Sequence, residues 1–324
     1  MNKLKTGLRF IKAKLTGKRI PLFVGWDLTS RCNFNCAYCG VPQHSNAVQE
    51  LNTADVLDGI NQLAELGTMR IHFGGGEVLL REDIGVILKA CQDKAIYTAL
   101  LTNGMLVPKR RADLKAAGML NISFDGPEHI HDKLRQQGSY AALITALDLA
   151  REENIKVTLN VSLSQFNSEY LEFIFDFAQS YCLPIRFQLI NKFLAGDKDV
   201  SGLVLDKKQQ YVVLNRILSA KCAGKSILNS LPALKYLRDY PEVKIPGCCA
   251  GKIYLRISEN GELYPCSMLK GRIMSDAYVR SDIKTLFQSL PLTKCAECLC
   301  TPTLDACLIY NLNFAALLNG LFMA

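Results

Sequence analysis

Residues 22–39 read Leu22-Phe23-Val24-Gly25-Trp26-Asp27-Leu28-Thr29-Ser30-Arg31-Cys32-Asn33-Phe34-Asn35-Cys36-Ala37-Tyr38-Cys39. The first seven predict a strand, and three cysteines follow at once in a loop. Downstream the chain alternates. Helical spacing at Val56, Leu57, Ile60, Leu63 and Leu66 ends at Gly67, and the strand 69–73 runs into Gly74-Gly75-Gly76. Ile84, Ile87, Leu88 and Cys91 form the next helical face, ahead of a strand over 97–101. Pro108 opens a short helix that stops near Gly118, before a strand over 120–124. Ser139 can cap a helix to about Glu153, ahead of a strand over 156–163. Asn167 or Ser168 can cap another to Tyr181, and 185–190 is the sixth strand. Six alternations predict an α/β fold, a parallel sheet whose right-handed crossovers wrap it toward a partial six-stranded (β/α)6 barrel. Chemistry in such sheets gathers at the carboxyl ends of the strands, where the three cysteines stand. From Asn191 the alternation stops, helical stretches follow over 206–222 and 226–240, and a cysteine-rich tail begins at Cys248.

Composition narrows the function. The chain has 324 residues, 49% of them apolar, enough for a sizeable core. The net charge of +8 is concentrated in the first 20 residues, where Lys3, Lys5, Arg9, Lys12, Lys14, Lys18 and Arg19 stand without an acid. The rest is nearly neutral, so no nucleic-acid partner is expected. Thirteen cysteines without a secretory signal point to the cytoplasm, where thiols serve metals more readily than disulfides. Residues 306–324 carry no charge but are interrupted by Asn311, Asn313 and Asn319, which predicts a packed terminal helix rather than a membrane span. Leu4, Leu8, Ile11 and Leu15 fall at helical spacing among the lysines. Such a basic amphipathic helix offers peripheral membrane contact, and a helix docked on the amino-terminal end of the barrel is the preferred alternative.

Cys32, Cys36 and Cys39, spaced C-x3-C-x2-C, place three thiolates in one loop. Three thiolates can hold three irons of a cubane and leave a fourth open to chelate the amino and carboxylate groups of a ligand such as S-adenosylmethionine (SAM). A zinc site would require a fourth ligand from elsewhere, and structural cysteines are the other reading.

This loop, with Tyr38 before its last cysteine, resembles the signature of the radical SAM superfamily. Gly74-Gly75-Gly76-Glu77 is similar to that family's GGE motif, although Val78 stands where proline is common. The resemblance implies that Gly75, Gly76 and Glu77 meet SAM's amino group. Thr102-Asn103-Gly104, Ser123-Phe124-Asp125-Gly126 and His131-Asp132-Lys133-Leu134-Arg135 are similar to the branch carrying extra clusters, which includes sulfatase-maturing enzymes and peptide maturases. By that likeness Asn103 belongs to the SAM site, Ser123 contacts the SAM ribose or carboxylate, Arg135 pairs with the carboxylate, and Asn160 reaches the ribose. A surface ion pair is the plain alternative for Arg135, a satisfied core amide for Asn160, and loop packing is the reading of His129 and His131.

The spacing Cys249-x11-Gly261-x4-Cys266 resembles the cysteine element of SPASM and Twitch domains, with the two cysteines on a hairpin turned at Asn260-Gly261. Cys295 and Cys298 complete four ligands for an auxiliary 4Fe-4S cluster, and a rubredoxin-like or zinc site is the alternative. A full SPASM domain holds two clusters. Here the continuation, Cys300 and Cys307, has other spacings, so a Twitch or shortened SPASM domain with one cluster is implied, while Cys248, Cys300 and Cys307 stay ambiguous. Cys91, Cys182 and Cys222 read as small apolar residues.

The expected organisation is therefore a basic segment (1–20), a radical SAM core (21–192), a helical connector (193–247), and a SPASM/Twitch-like domain with the terminal helix (248–324). The resemblance implies that a one-electron donor of flavodoxin or ferredoxin type reduces the first cluster, which cleaves SAM to a 5′-deoxyadenosyl radical that abstracts hydrogen from a substrate. That substrate is a peptide, or a small molecule, sugar or lipid. A non-catalytic iron-sulfur carrier is the competing class, and Glu77, Ser123 and Arg135 argue against it because a carrier needs no SAM site.

Overall fold

A computed structural model describes residues 9–10, 13–41, 49–190, 195–245, 247–292, 295 and 297–322. The predicted alternation appears as β1 (Phe23–Thr29), α1 (Thr53–Glu65), β2 (Arg70–Gly75), α2 (Ile84–Asp93), β3 (Tyr97–Thr102), β4 (Met119–Ser123), α3 (Glu128–Leu134), α4 (Ser139–Glu152), β5 (Val157–Leu163), α5 (Leu171–Ser180) and β6 (Ile185–Leu189). Then come α6 (Lys207–Cys222), α7 (Leu231–Asp239), β7 (Tyr254–Ile257), β8 (Leu263–Tyr264), α8 (Ile283–Ser289), α9 (Thr301–Tyr310) and α10 (Phe314–Phe322).

All eight strands form one sheet in the order β6-β5-β4-β3-β2-β1-β7-β8. Every pairing is parallel except the β7–β8 hairpin. β7 therefore continues the sheet across the free edge of β1, which the sequence reading did not foresee. One face of the strands is apolar and buried under the helices: Val24, Trp26 and Leu28 on β1, Ile71 and Phe73 on β2, Leu120 and Ile122 on β4. Val56, Ile60 and Leu63 of α1 belong to the same core, and Asn52 caps that helix by accepting the Asp55 N–H at 2.9 Å. The other face is polar, with Arg70 and His72 on β2, Asn121 and Ser123 on β4, and Arg186 and Gln188 on β6 all half-buried. This polar face, opposite the helix-covered one, is the inner face of the sheet.

Several local expectations are corrected. Residues 108–118 form turns and a short 3-10 segment at Asp113–Ala116, because only Leu114 is buried there and no apolar stripe exists to dock a helix. Ser139 is the first residue of α4 and not its cap. The Asp132 carboxylate caps that helix, accepting from the Gly138 and Tyr140 N–H groups and the Ser139 hydroxyl. Asn167 caps nothing, since its Oδ1 accepts the Ser164 N–H. Residues 226–229 run along the edge of β6, where the Asn229 amide bonds both the N–H and C=O of Phe187 at 2.8 Å. The charge-free tail is two helices, broken where Leu312 takes a positive φ of 60°.

Of the basic amphipathic segment, Leu4, Leu8 and Ile11 lie outside the described residues, as does the boundary near 192. The part described is docked: Phe10 packs on Phe23, Lys14 lies over the Tyr310 ring, and Arg19 donates to the carbonyls of Gly251, Gln288 and Leu290. Leu15 is 80% exposed. No helix among the described residues is long and apolar enough to cross a membrane.

Candidate active site at the carboxyl ends of the strands

A register shift between Asp27 and Thr29 carries the end of β1 into the cysteine loop. The loop's base is backbone packed on backbone: Gly76 N–H donates to the Thr29 carbonyl at 2.7 Å, and Glu77 N–H to the Arg31 carbonyl at 2.9 Å. A Cβ on Gly76 would lie 2.6 Å from the Arg31 carbonyl carbon, and one on Gly75, whose φ is +104°, would meet the Thr29 oxygen. These glycines are required first by the approach of residues 29–31, a reason distinct from ligand access.

Glu77 is buried, its carboxylate accepting from the Thr102 hydroxyl at 2.8 Å, the Leu79 N–H at 3.1 Å and the Asn103 N–H at 2.8 Å. Burial raises its pKa, and these three bonds oppose the rise. An ammonium brought beside it would favour the ionised form. Asn103 links the GGE turn to the cysteine loop, donating its amide to Asn33 Oδ1 at 2.9 Å.

The cysteine loop is held from three sides. Ala37 N–H donates to the Leu134 carbonyl at 2.9 Å, Cys39 N–H to the Cys36 carbonyl at 3.2 Å, and Lys198 Nζ to the Cys36 carbonyl at 2.6 Å and Asn35 Oδ1 at 2.7 Å. Gly40 packs against the backbone of Ala195 and Gly196. Burial pushes the Cys32 thiol up to about 11, and Glu77, Cys36 and Cys39 push the same way. Burial also raises Cys36, against the pull of Arg135. Among the described residues no three His, Cys, Asp or Glu side chains converge as a preformed metal centre. The donor chemistry nonetheless fits a 4Fe-4S cluster: three cysteines in one loop, thiols that a bound cation would ionise, and no fourth protein ligand required of them.

Arg135 sits behind this loop, buried, with Nε 2.8 Å from Asp125 Oδ2. The Nε–H is off the line of that oxygen, so the contact is an ion pair rather than an aligned hydrogen bond. Tyr38 donates its hydroxyl to the same oxygen at 2.7 Å, Ser162 N–H donates to Asp125 Oδ1 at 3.0 Å, and Arg135 lies 5.6 Å from the centre of the Tyr38 ring. The Asp125 N–H donates to His131 Nδ1 at 3.1 Å, placing His131 as a packed residue of α3. Arg135, read from sequence as a partner for a ligand carboxylate, already has a carboxylate partner in the chain. Asp125, quoted only as part of a motif, is the hub. Lys198 was missed altogether, because it stands well over a hundred residues from the loop it clamps. Ser123 and Asn160 are register partners on β4 and β5, both half-buried on the inner face.

The second constellation is brought together by the β7–β8 hairpin, with Cys249 before β7, Cys266 after β8, and Gly261 in the turn at φ +87°. Cys249 N–H donates to Cys307 Sγ at 3.0 Å, and Cys298 N–H to the Tyr236 hydroxyl at 2.8 Å. Burial pushes Cys266 up to about 12, with Cys300, Cys248 and Cys295 adding to it, and Cys298 is raised by burial, Cys300 and Cys307. Cys248, Cys249, Cys266 and Cys307 belong to one buried cluster, and Cys298 Sγ lies 3.6 Å from the Cys300 carbonyl, but among the described residues no three of these thiols converge as a preformed metal centre. Cys91 is buried in the core, whereas Cys182 and Cys222 are exposed.

A cavity of about 380 Å³ lined by Lys115, Gly118, Glu153 and Lys156 lies at the opposite, amino-terminal ends of β4 and β5 and shares no residue with either constellation.

Residues 26–178 match the radical SAM superfamily. That segment belongs to the radical SAM superfamily. The chain is 28% identical over 285 residues to a probable GTP 3′,8-cyclase of Methanosarcina mazei, spanning 81% of this chain and 80% of the relative. It is 25% identical over 276 residues to an AdoMet-dependent heme synthase of Methanosarcina barkeri, spanning 77% of each. Among solved structures, SuiB of Streptococcus suis bound to its precursor peptide SuiA superposes with a TM-score of 0.72 at 17% identity, over 87% of this chain and 68% of that one. The relatives bear enzyme names, and this chain is an enzyme whose residues 26–178 match the radical SAM superfamily. Membership implies a 4Fe-4S cluster, SAM and an electron donor.

Proposed function

We propose that residues 21–192 form a partial six-stranded (β/α)6 radical SAM barrel in which Cys32, Cys36 and Cys39 hold the 4Fe-4S cluster, with Gly75, Gly76, Glu77, Asn103, Ser123 and Asn160 around SAM. When bound and reduced, the cluster would supply the electron for reductive cleavage of SAM, whose adenosyl group would then serve to abstract hydrogen from the substrate. The chain's own residues orient and shield. Glu77, fixed by three donors, presents a carboxylate to SAM's ammonium, and Arg135 and Tyr38, tied to Asp125, hold the cysteine loop rigid and exclude water behind it. The observation that carries this reading is the caged Glu77 bonded through Asn103 to the three-cysteine loop.

Residues 193–247 connect to a SPASM/Twitch-like domain (248–324) whose Cys249, Cys266, Cys295 and Cys298 hold an auxiliary 4Fe-4S cluster, with Cys300 and Cys307 near enough to exchange for one of them. A flavodoxin- or ferredoxin-type protein in the cytoplasm is the reductant. The substrate is a peptide, or a small molecule as the relatives' names suggest.

The test is anaerobic. The protein is reconstituted with iron and sulfide, iron is counted, dithionite and SAM are added, and 5′-deoxyadenosine is measured by mass spectrometry. About eight irons per chain are expected, with 5′-deoxyadenosine lost in Cys36→Ala. Zinc in place of iron, or iron without SAM cleavage, overturns the reading, the latter in favour of an electron carrier.

A further inference from the structure

The segment after β6 lies against the cysteine loop and brings an ammonium group to it. Ala195 and Val200 are buried with Ile190, and Tyr38 of the loop packs on the same apolar cluster. Gly40 meets the segment's backbone so closely that a Cβ there would stand 2.6 Å from the Ala195 carbonyl carbon. The segment is also tied down at both ends of its turn. Lys198 N–H donates to the Ala195 carbonyl at 3.2 Å, and the Leu203 carbonyl accepts the N–H of Gln165, just past β5, at 2.9 Å. From this fixed base the half-buried Lys198 side chain reaches the loop, its Nζ donating to the Cys36 carbonyl at 2.6 Å and to Asn35 Oδ1 at 2.7 Å.

Two cations support the cysteine loop, and they differ in how they are neutralised. Arg135 faces the buried Asp125 carboxylate at 2.8 Å. Lys198 instead directs its ammonium to a carbonyl and an amide oxygen, which orient the group without cancelling its charge. The carboxylates on either side of it in sequence, Asp197 and Asp199, are exposed, where water screens them. The carbonyl oxygen and the thiol of Cys36 are four bonds apart, which puts Nζ within about 8 Å of Sγ. A neutral donor could tie down the same carbonyl. Only the charge would alter how readily a centre held by Cys36 accepts an electron, because each reduction adds one negative charge that a fixed cation favours.

We propose that Lys198 is a positioning residue of the first cluster, clamping the Cys36 carbonyl and holding beside the cluster a positive charge that makes it easier to reduce. One electron arrives from the flavodoxin- or ferredoxin-type donor, and no bond forms or breaks. The proposal rests on the reading of Cys36 as a cluster ligand.

The test is a potentiometric titration of the reconstituted enzyme at fixed pH, followed by electron paramagnetic resonance of the reduced protein. The signal of the first cluster is the one missing from Cys36→Ala. Lys198→Met removes the charge and keeps the apolar stem, and it should lower the equilibrium constant for reduction at least about tenfold, or about 59 mV for one electron. Lys198→Gln keeps a donor without the charge, should shift the same way, and carries the test if Lys198→Met does not hold iron. Lys198→Arg keeps the charge and should stay within about twofold of the wild type. Neutral variants that titrate with the wild type overturn the proposal, as does an arginine variant that falls as far as they do. Loss of the first-cluster signal from both neutral variants makes the lysine a purely structural tie and also overturns it. The parent reading fails separately: a wild type with no signal that depends on Cys36 removes it and the proposal together. A wild type that forms 5′-deoxyadenosine while all potentials coincide removes only the role given to Lys198.

Discussion

Asp125→Asn tests how the cysteine loop is supported. The substitution keeps the shape and an oxygen to accept the Ser162 N–H at 3.0 Å, but it places a donor NH2 where Oδ2 accepts the Tyr38 hydroxyl and removes the charge facing Arg135. Arg135 is 7% exposed and Asp125 fully buried, so the guanidinium cannot turn to water. Burial disfavours the Arg135 charge, and Asp125 more than offsets this, holding its pKa above the usual arginine range. Breaking a buried pair by removing one partner costs about 3–5 kcal/mol, most of it the stranded charge rather than the lost attraction. In a chain of this size that corresponds to a fall in Tm of about 5–10 °C. The diagnostic assay is a double-mutant cycle on the metal-free protein, with Asp125→Asn, Arg135→Gln and both together, followed by thermal unfolding under reductant. The double variant strands no charge, so it should lose less than the two single losses combined, by about 2 kcal/mol. Iron uptake should fall in Asp125→Asn, because Tyr38 immediately precedes Cys39. Additive losses, or an Asp125→Asn protein that melts with the wild type, would refute the claim that this pair supports the loop.

Two further outcomes follow from geometry. Gly76→Ala places a methyl 2.6 Å from the Arg31 carbonyl carbon, where backbone cannot give way, so it should destabilise by about 1–3 kcal/mol and reduce iron bound at the first cluster while leaving the auxiliary site loaded; Mössbauer spectra showing equal loading of both sites would contradict this. His131 is fully buried, and burial first, then the Arg135 charge, lowers its pKa to about 4 from an ordinary 6.5, with Asp125 and Asp132 pulling the other way. A folded value below the unfolded one means that the native state binds fewer protons. This stability is complete above about pH 6.5 and is lost as pH falls toward 4, amounting to about 3 kcal/mol. His131→Asn, which retains an acceptor for the Asp125 N–H, should flatten the dependence of unfolding free energy on pH across that window, and curves that stay parallel would exclude the assignment.

Six strands, most helices and the three-cysteine loop at the end of β1 were legible from the chain because each is a local property: the period of apolar side chains, a glycine at a strand end, three thiols within eight positions. The sequence reading failed where local pattern and packing diverge. Residues 108–118 looked helical but bury only Leu114, and α3 was hidden in a stretch read as a motif. The arginines of the inner face carried a signal that could have been used. A strand that alternates Arg70-Ile71-His72-Phe73 inside a parallel sheet, where continuous apolar runs are the rule, announces a polar interior.

By itself the sequence determined the alternating fold class and the three-cysteine loop at the end of β1. Only the tertiary structure decided which charges meet. Asp125 takes Tyr38 from 87 residues away, Asp27 takes Arg256 from 229, and Cys249 meets Cys307 from 58. Periodicity reports which face of an element is buried, because burial repeats along the element. The partner of a buried ion is set by how sheet curvature and crossovers bring separate segments into one low-dielectric space, and no spacing along the chain encodes that distance.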